Sequence, residues 1–326
     1  MNDSGSFRDR ITTADEEGHR KWVFATQPFG KFYNYRTILS VIYVVVFFTL
    51  PFIQVDGHPL FLFNVPERKF ILFGFIFWPQ DFFVFAISML TFMVFIVFFT
   101  VVYGRVFCGW VCPQTIFMEM IFRRIEYWIE GSAEKQRRLK AQPWNKEKIT
   151  KTGFKHVTFF ALSFIISNTF LAYVIGVKDV FKIATEPVTE NLLGFISILG
   201  FTTVFYAVFA YAREMVCTFA CPYGRLQGVL LDRNSIVVAY DHKRGEPRGK
   251  LKKGQENTNG DCIDCGLCVR VCPTGIDIRN GTQLECVNCT ACIDACDSIM
   301  EKVNKPKGLI RYASENNIVE GTKPKF

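Results

Sequence analysis

Histidine is scarce in this 326-residue chain: His19, His58, His156 and His242 are the only four. No C-x-x-C-H run occurs, which excludes covalent c-type haem on that motif. Neither a Walker motif nor G-x-G-x-x-G is present, so phosphate hydrolysis and a Rossmann cofactor have no support. Charge is also thin, at 21%, against 50% hydrophobic residues and a mean hydropathy of +0.18. That balance is too apolar for a soluble domain, and the excess is gathered into long runs. The opening stretch MNDSGSFRDRITTADEEGHRKW has no apolar core and does not read as a cleavable signal peptide. The formal charge of +8 lies in basic residues flanking the apolar runs, which points to membrane orientation and not to nucleic acid.

What the chain does have is cysteine, twelve in all, eight of them within residues 261–300. Cys262, Cys265, Cys268 and Cys272 follow C-x2-C-x2-C-x3-C, and Cys286, Cys289, Cys292 and Cys296 repeat it. A tight loop of this spacing wraps three irons of a [4Fe–4S] cube, and the fourth thiolate comes from the other run. The expected ligand sets are therefore Cys262, Cys265, Cys268 and Cys296 for one cluster, and Cys286, Cys289, Cys292 and Cys272 for the other. Structural zinc uses separated C-x2-C knuckles, and a disulfide framework belongs to oxidising compartments.

Four runs of about twenty uncharged residues, Thr37–Val55, Phe82–Tyr103, Val157–Val177 and Leu192–Tyr211, are long enough to span a bilayer as helices. The Lys- and Arg-rich segments are the tail and residues 108–156, which places both termini and the cysteine module in the cytoplasm. Phe70–Trp78 is too short to span and reads as an interfacial or re-entrant piece, with Trp78 at headgroup depth. Residues 114–130 have a helical apolar face of Phe117, Met120, Ile121, Ile125, Trp128 and Ile129, expected to lie on the inner membrane surface; packing on the cluster module is the alternative. The expected architecture is a membrane α-helical domain of four transmembrane helices in two repeated hairpins, with a small α+β two-cluster ferredoxin-like domain. Its divisions are a tail at 1–36, the membrane domain at 37–221, a linker at 222–260, the cluster module at 261–300 and a tail at 301–326.

The remaining four cysteines form a repeat. Cys108 and Cys112, then Cys217 and Cys221, are each C-x3-C-P at the end of a two-span hairpin, with an arginine before them. Proline disfavours helix at the residue before it and suits the first position of a new helix, so a break is expected at each motif. Gathered by the repeat axis, four soft sulfurs suit Cu(I), an iron–sulfur cluster or zinc. Two reversible dithiols, or buried small residues at helix ends, are the other readings. His156 and His58 read as surface positions, with contact to the thiol site or to copper as their alternatives.

The segments VYGRVFCGWVCPQT and EMVCTFACPYGRLQGVLLDRNS, the two cluster runs and KPKGLIRYASEN resemble the CcoG/FixG/RdxA family of accessory proteins for cbb3-type cytochrome c oxidase. The resemblance covers nearly the whole chain. It implies a polyferredoxin of the bacterial inner membrane carrying two [4Fe–4S] clusters and reducing Cu(II) to Cu(I), with Cys108, Cys112, Cys217 and Cys221 as the copper or redox site. Implied partners are a cytoplasmic electron donor, copper or a copper carrier, oxidase assembly factors, the bilayer and a second copy of the chain. Family members usually continue into another transmembrane helix and an outer immunoglobulin-like domain, which this sequence does not contain. Two other functions stay open: a quinol dehydrogenase drawing electrons from the bilayer, and a copper-holding chaperone with structural clusters. The orientation has a direct check. Cysteine labelling or reporter fusions near Lys140 and Gly254 should report inside and those near Gly57 and Asp179 outside; an external cluster module would overturn it.

Overall fold

The computed structural model describes residues 17, 19–55, 58–64, 69–73, 75–77, 82–185, 187, 192–250 and 259–322. It divides into two compact units, one of residues 40–95 and 146–213, the other of 1–39, 96–145 and 214–326. Among the described residues, four helices are long and apolar enough to cross a membrane.

In the membrane unit the helices follow the apolar runs, with shifted ends. The first is Lys31–Thr49, not Thr37–Val55. Pro51 stops it, because the residue before proline avoids the α region, and the chain passes through a 3₁₀ turn into the strand Gln54–Val55. The second, Phe82–Tyr103, and the fourth, Leu192–Ala207 continuing as a π-helix over Val208–Ala212, match their runs closely. The third is Lys146–Ile175, thirty residues, begun a full eleven positions before Val157. Its charged first turns extend the helix beyond the apolar stretch, and Gly176 at φ +94° ends it. The third and fourth helices pack through a buried hydrogen bond of 2.9 Å between the hydroxyls of Ser167 and Thr202. Tyr173 ties the third helix to the first by donating to the Phe47 carbonyl. Phe92, Leu193 and Phe98 stay exposed on the outer faces, as lipid contact requires.

Within Phe70–Trp78, expected as an interfacial or re-entrant piece, the described residues form strands. Lys69–Leu72 and Phe75–Phe77 are antiparallel neighbours in a three-stranded sheet with Phe61–Asn64. Phe73, at φ +53°, begins the tight turn between them. Trp78 lies outside the described residues. His156 is half-buried: Tyr206 bonds its Nδ1 at 2.8 Å and Tyr211 stacks on its ring.

In the second unit, described parts of 222–260 and 301–326, expected as linker and tail, form paired strands and helices. Val237–Tyr240 pairs antiparallel with Ile310–Ala313, and the sheet covers the cysteine loops. Val238, Tyr240, Leu309 and Ile310 form one buried core with Cys262, Cys268 and Ile276. The strand signal VVAY is only four residues long, and its partner lies seventy residues on, so neither half is legible alone. The start of the N-terminal tail lies outside the described residues, but Ala25 to Tyr33 are packed: Thr26 donates to the Arg270 carbonyl at 2.7 Å and Tyr127 to the Ala25 carbonyl. Asp294 caps the helix Lys31–Thr49 from 261 residues away, accepting from the backbone of Phe32 and Tyr33. Gly30 permits this, since a Cβ there would meet Asp294 Cγ at 2.3 Å.

The run after Cys112 is helical as Pro113–Ile116, a π-helix Phe117–Phe122, and Arg123–Ile129. It packs on the cluster module: Met120, Arg123 and Tyr127 share a cavity with Val271, Pro273 and Cys289. That corrects the reading of a helix on the membrane surface, and it reverses the polar face. Arg123, Glu126 and Glu130 are buried, whereas Trp128 is 78% exposed. Arg123 is held by Glu119 at 2.9 Å, with Glu214 at 3.8 Å, and Glu214 also meets Arg20 at 3.1 Å. Removing one member of a buried ion cluster strands the others, at about 3–5 kcal/mol. Arg123→Ala should therefore lower the unfolding temperature in detergent markedly, while Trp128→Ala changes it little; equal effects would show that the ion cluster does not hold this unit.

Candidate redox centre

Both cysteine loops of the cluster module take the same backbone path. Asp264 and Gly266 in the first, and Asn288 and Thr290 in the second, all have φ between 52° and 64°. They occupy equivalent places, two residues after the first cysteine and one after the second. Glycine, asparagine and aspartate suit this left-handed region; Thr290, β-branched, does not, and is held there by burial to 1% and a hydroxyl bond to the Cys289 carbonyl. These turns fold the three sulfurs of each run inward.

The fourth sulfur of each run faces the other loop. One cavity is lined by Cys262, Cys265, Cys268 and Cys296, and a second by Cys272, Cys286, Cys289 and Cys292, which Cys268 also borders. Burial pushes the thiols of Cys268, Cys286 and Cys296 up to about 12 and that of Cys289 to about 11. Thiolates at these places need positive charge beside them, which iron supplies. The buried Asn288 adds a fit of its own. Its Oδ1 accepts from the Val238 amide at 3.2 Å, and its Nδ2 has no acceptor among the described residues, leaving an N–H near the sulfurs. The residues thus suit a cubane in each cavity. Among the described residues, no three His, Cys, Asp or Glu side chains are close enough to hold a single metal ion.

The two C-x3-C-P motifs lie in this same unit. Each second cysteine sits in extended conformation directly before a proline that begins a new helix, with ψ 125° at Cys112 and 110° at Cys221. Here the expected break is what the structure has. Cys221 Sγ accepts from the Gly224 amide at 3.4 Å, capping its helix. The motifs come together: Cys108 is influenced by Cys112 and Cys221, and Cys217 by Cys112, Cys108 and Cys221. Burial raises Cys108 and Cys217 to about 12, against the pull of Arg105. Cys108 donates to Gln227 Oε1 at 3.0 Å and packs against the buried cluster that holds Val287 and Cys289, two residues of the second cavity's wall.

The chain matches two families of known domains, a 4Fe-4S dicluster domain over residues 212–315 and a 4Fe-4S binding domain over residues 85–133. It is 36% identical to protein RdxB of Cereibacter sphaeroides over 302 residues, 90% of this chain and 62% of the relative. It is 35% identical to the nitrogen fixation protein FixG of Rhizobium meliloti over 309 residues, 90% of this chain and 57% of the relative. The chain belongs to the FixG/RdxA family. More distant likeness reaches a putative electron transport protein, YccM of Escherichia coli, at 24% over 202 residues, 59% of this chain and 48% of the relative. No solved structure matches. This FixG/RdxA chain spans about 57–62% of the length of the first relatives it matches. Its four candidate spans and its two 4Fe-4S domain matches mark a multi-pass membrane protein with iron–sulfur domains.

Three residues that build the centre drew no notice in the sequence beyond the arginine before each motif. Gly109 lies against the second cluster loop, where a Cβ would meet the Val287 carbonyl at 2.4 Å. Arg105, 3% exposed, donates to the carbonyls of Leu284 and Gly224. Arg36, 5% exposed, donates to the carbonyls of Gly109 and Cys289. The alignment of the cavities gives a sharp expectation for Cys296. Cys296→Ser should bring iron down from about eight per chain toward about four, with EPR loss confined to the cluster of Cys262, Cys265 and Cys268. Loss confined to the other cluster would break the crossed ligand sets.

Proposed function

We propose that this protein takes electrons from a cytoplasmic donor through two [4Fe–4S] clusters and delivers them to Cu(II) at the thiols of Cys108, Cys112, Cys217 and Cys221. Cys262, Cys265, Cys268 and Cys296 would hold one cluster and Cys286, Cys289, Cys292 and Cys272 the other. Bound there, the clusters supply one-electron transfer. The observation that carries the reading is the packing of Cys108 on the wall of the second cavity, beside Val287 and Cys289, which leaves a short path between the two sulfur sites. Cys265, exposed on the opposite cage, is the natural entry for a donor.

At the exit, the step is Cu(II) plus one electron giving Cu(I), with the electron coming from the donor. Soft thiolates bind Cu(I) in preference to Cu(II), so the four sulfurs assist the reduction. Because burial holds Cys108 and Cys217 as neutral thiols, copper entry must release their protons. Gln227 orients Cys108, and Arg105 holds the loop behind it. Delivery of Cu(I) to a cbb3-type oxidase, and the inward placement of both termini, belong to the same proposal.

A second reading of the thiols has one observation in its favour. The 4Fe-4S binding domain match over residues 85–133 contains only two cysteines, Cys108 and Cys112. On that reading the four sulfurs hold a further cluster and copper is not bound there. Anaerobic protein with dithionite-reduced clusters should be mixed separately with Cu(II) and with a quinone analogue. Copper should reoxidise the clusters, and Cys108→Ser or Cys217→Ser should each remove most Cu(I) binding, with iron unchanged at about eight per chain. Reoxidation by quinone alone sinks copper reduction. Iron well above eight, falling in these variants, selects the further cluster.

A further inference from the structure

The fixed charges around the two cysteine cavities differ. Beside the second, Arg36 lies on the helix Lys31–Thr49 and donates from Nε to the Gly109 carbonyl at 3.1 Å and from Nη1 to the Cys289 carbonyl at 3.0 Å. Arg105 donates to the Leu284 carbonyl, two residues before Cys286, and its other acceptors in these bonds are the Gly224 carbonyl and Gln227 Oε1, none of them a carboxylate. Both guanidiniums are at least 95% buried. Glu119, the acidic group that bears on Cys289, is already engaged by Arg123 at 2.9 Å. Beside the first cavity the balance is opposite. Arg279 is bound by Asp277 at 2.7 Å and by Asp264 at 2.5 Å, and Asp297 stands next to Cys296. Arg270 donates to the Cys265 carbonyl at 3.3 Å, but that bond is exposed and solvent screens its charge.

Adding an electron to a cluster of thiolates makes an anionic group more anionic. Burial alone opposes this, and the second cavity is the more buried. Two arginines bonded to carbonyls and buried beside it act in the other direction, in a medium where a unit charge is felt strongly. Hydrogen bonding, net charge and solvent exposure are the protein's means of setting such potentials.

We propose that Arg36 and Arg105 hold positive charge against the cluster of Cys272, Cys286, Cys289 and Cys292, raising its potential above that of its neighbour. The electron then rests on the cluster beside Cys108, not on the one beside exposed Cys265. Arg36 has a second part. By bonding Gly109 and Cys289 together it fixes the distance between the C-x3-C-P loop and the cluster loop. Both arginines are positioning residues, since neither carries the electron. The inference rests on the two-cluster reading.

The test is EPR-monitored redox titration of anaerobic full-length protein, with iron counted on each sample. In Arg36→Gln the midpoint potential of one cluster should fall, shifting the partition of the electron between the two clusters roughly tenfold, which for a one-electron couple is about 59 mV. The other cluster should stay where it was, and Arg36→Lys should recover much of the shift by restoring charge. Arg105→Gln should move the same cluster in the same direction. Should Arg36→Gln lose iron, Arg36→Lys and Arg105→Gln carry the test: unchanged potentials in Arg105→Gln at full iron content overturn the inference. Equal shifts in Arg36→Gln and Arg36→Lys overturn it too, since they would assign the effect to geometry and not to charge. A wild-type protein with fewer than two EPR-active clusters refutes the two-cluster reading instead, and is told apart by its iron count.

Discussion

Gathering sulfur out of water is the constraint on which the cysteine-bearing unit depends. Buried thiols of Cys268, Cys286 and Cys296 are pushed up to about 12, so on their own they would stay protonated and uncharged. Their convergence is purchased by backbone turns, and it becomes favourable only with metal to accept the negative charge. Left-handed residues at matched places in both loops, the two-stranded sheet above them and the helix Ala291–Lys302 all serve this one end. Cys108 packs against a second buried cluster, that of Val271, Val287 and Cys289, which joins the first C-x3-C-P motif to the cluster module.

Charge is handled with the same economy. Arg123, Glu119, Glu214 and Arg20 form a buried set that neutralises itself and ties the N-terminal segment to the helical run after Cys112. Arg36 and Arg105 are different, because their bonds go to carbonyl oxygens beside the sulfur loops. A buried cation bonded to carbonyls keeps its field for whatever anion lies nearby, and here that is the proposed second cluster.

Much was legible beforehand where the signal is local. An apolar run of twenty residues must be a span or a core, so Phe82–Tyr103 and Leu192 onward were read with nearly correct ends. The C-x3-C-P breaks were legible because proline acts on its immediate neighbours. Errors arose where a partner far along the chain decides. VVAY became a strand because Ile310–Ala313 pairs with it, and Phe70–Leu72 took strand form beside Phe61–Asn64. Arg123, Glu126 and Glu130 lie off the apolar face of their helix and are nonetheless buried, since helical periodicity does not record that arginine and glutamate are buried together.

By itself the sequence determined the spans, the two cysteine runs and the family, for these rest on hydropathy, spacing and residue identity over short distances. Only the tertiary structure decided that the helix after Cys112 packs on the cluster module, that Asp294 caps the first span helix, and that Arg36 joins Gly109 to Cys289. Each of those contacts unites residues at least 73 positions apart or rests on a glycine's missing Cβ, and neither kind of contact leaves a periodic trace along a chain.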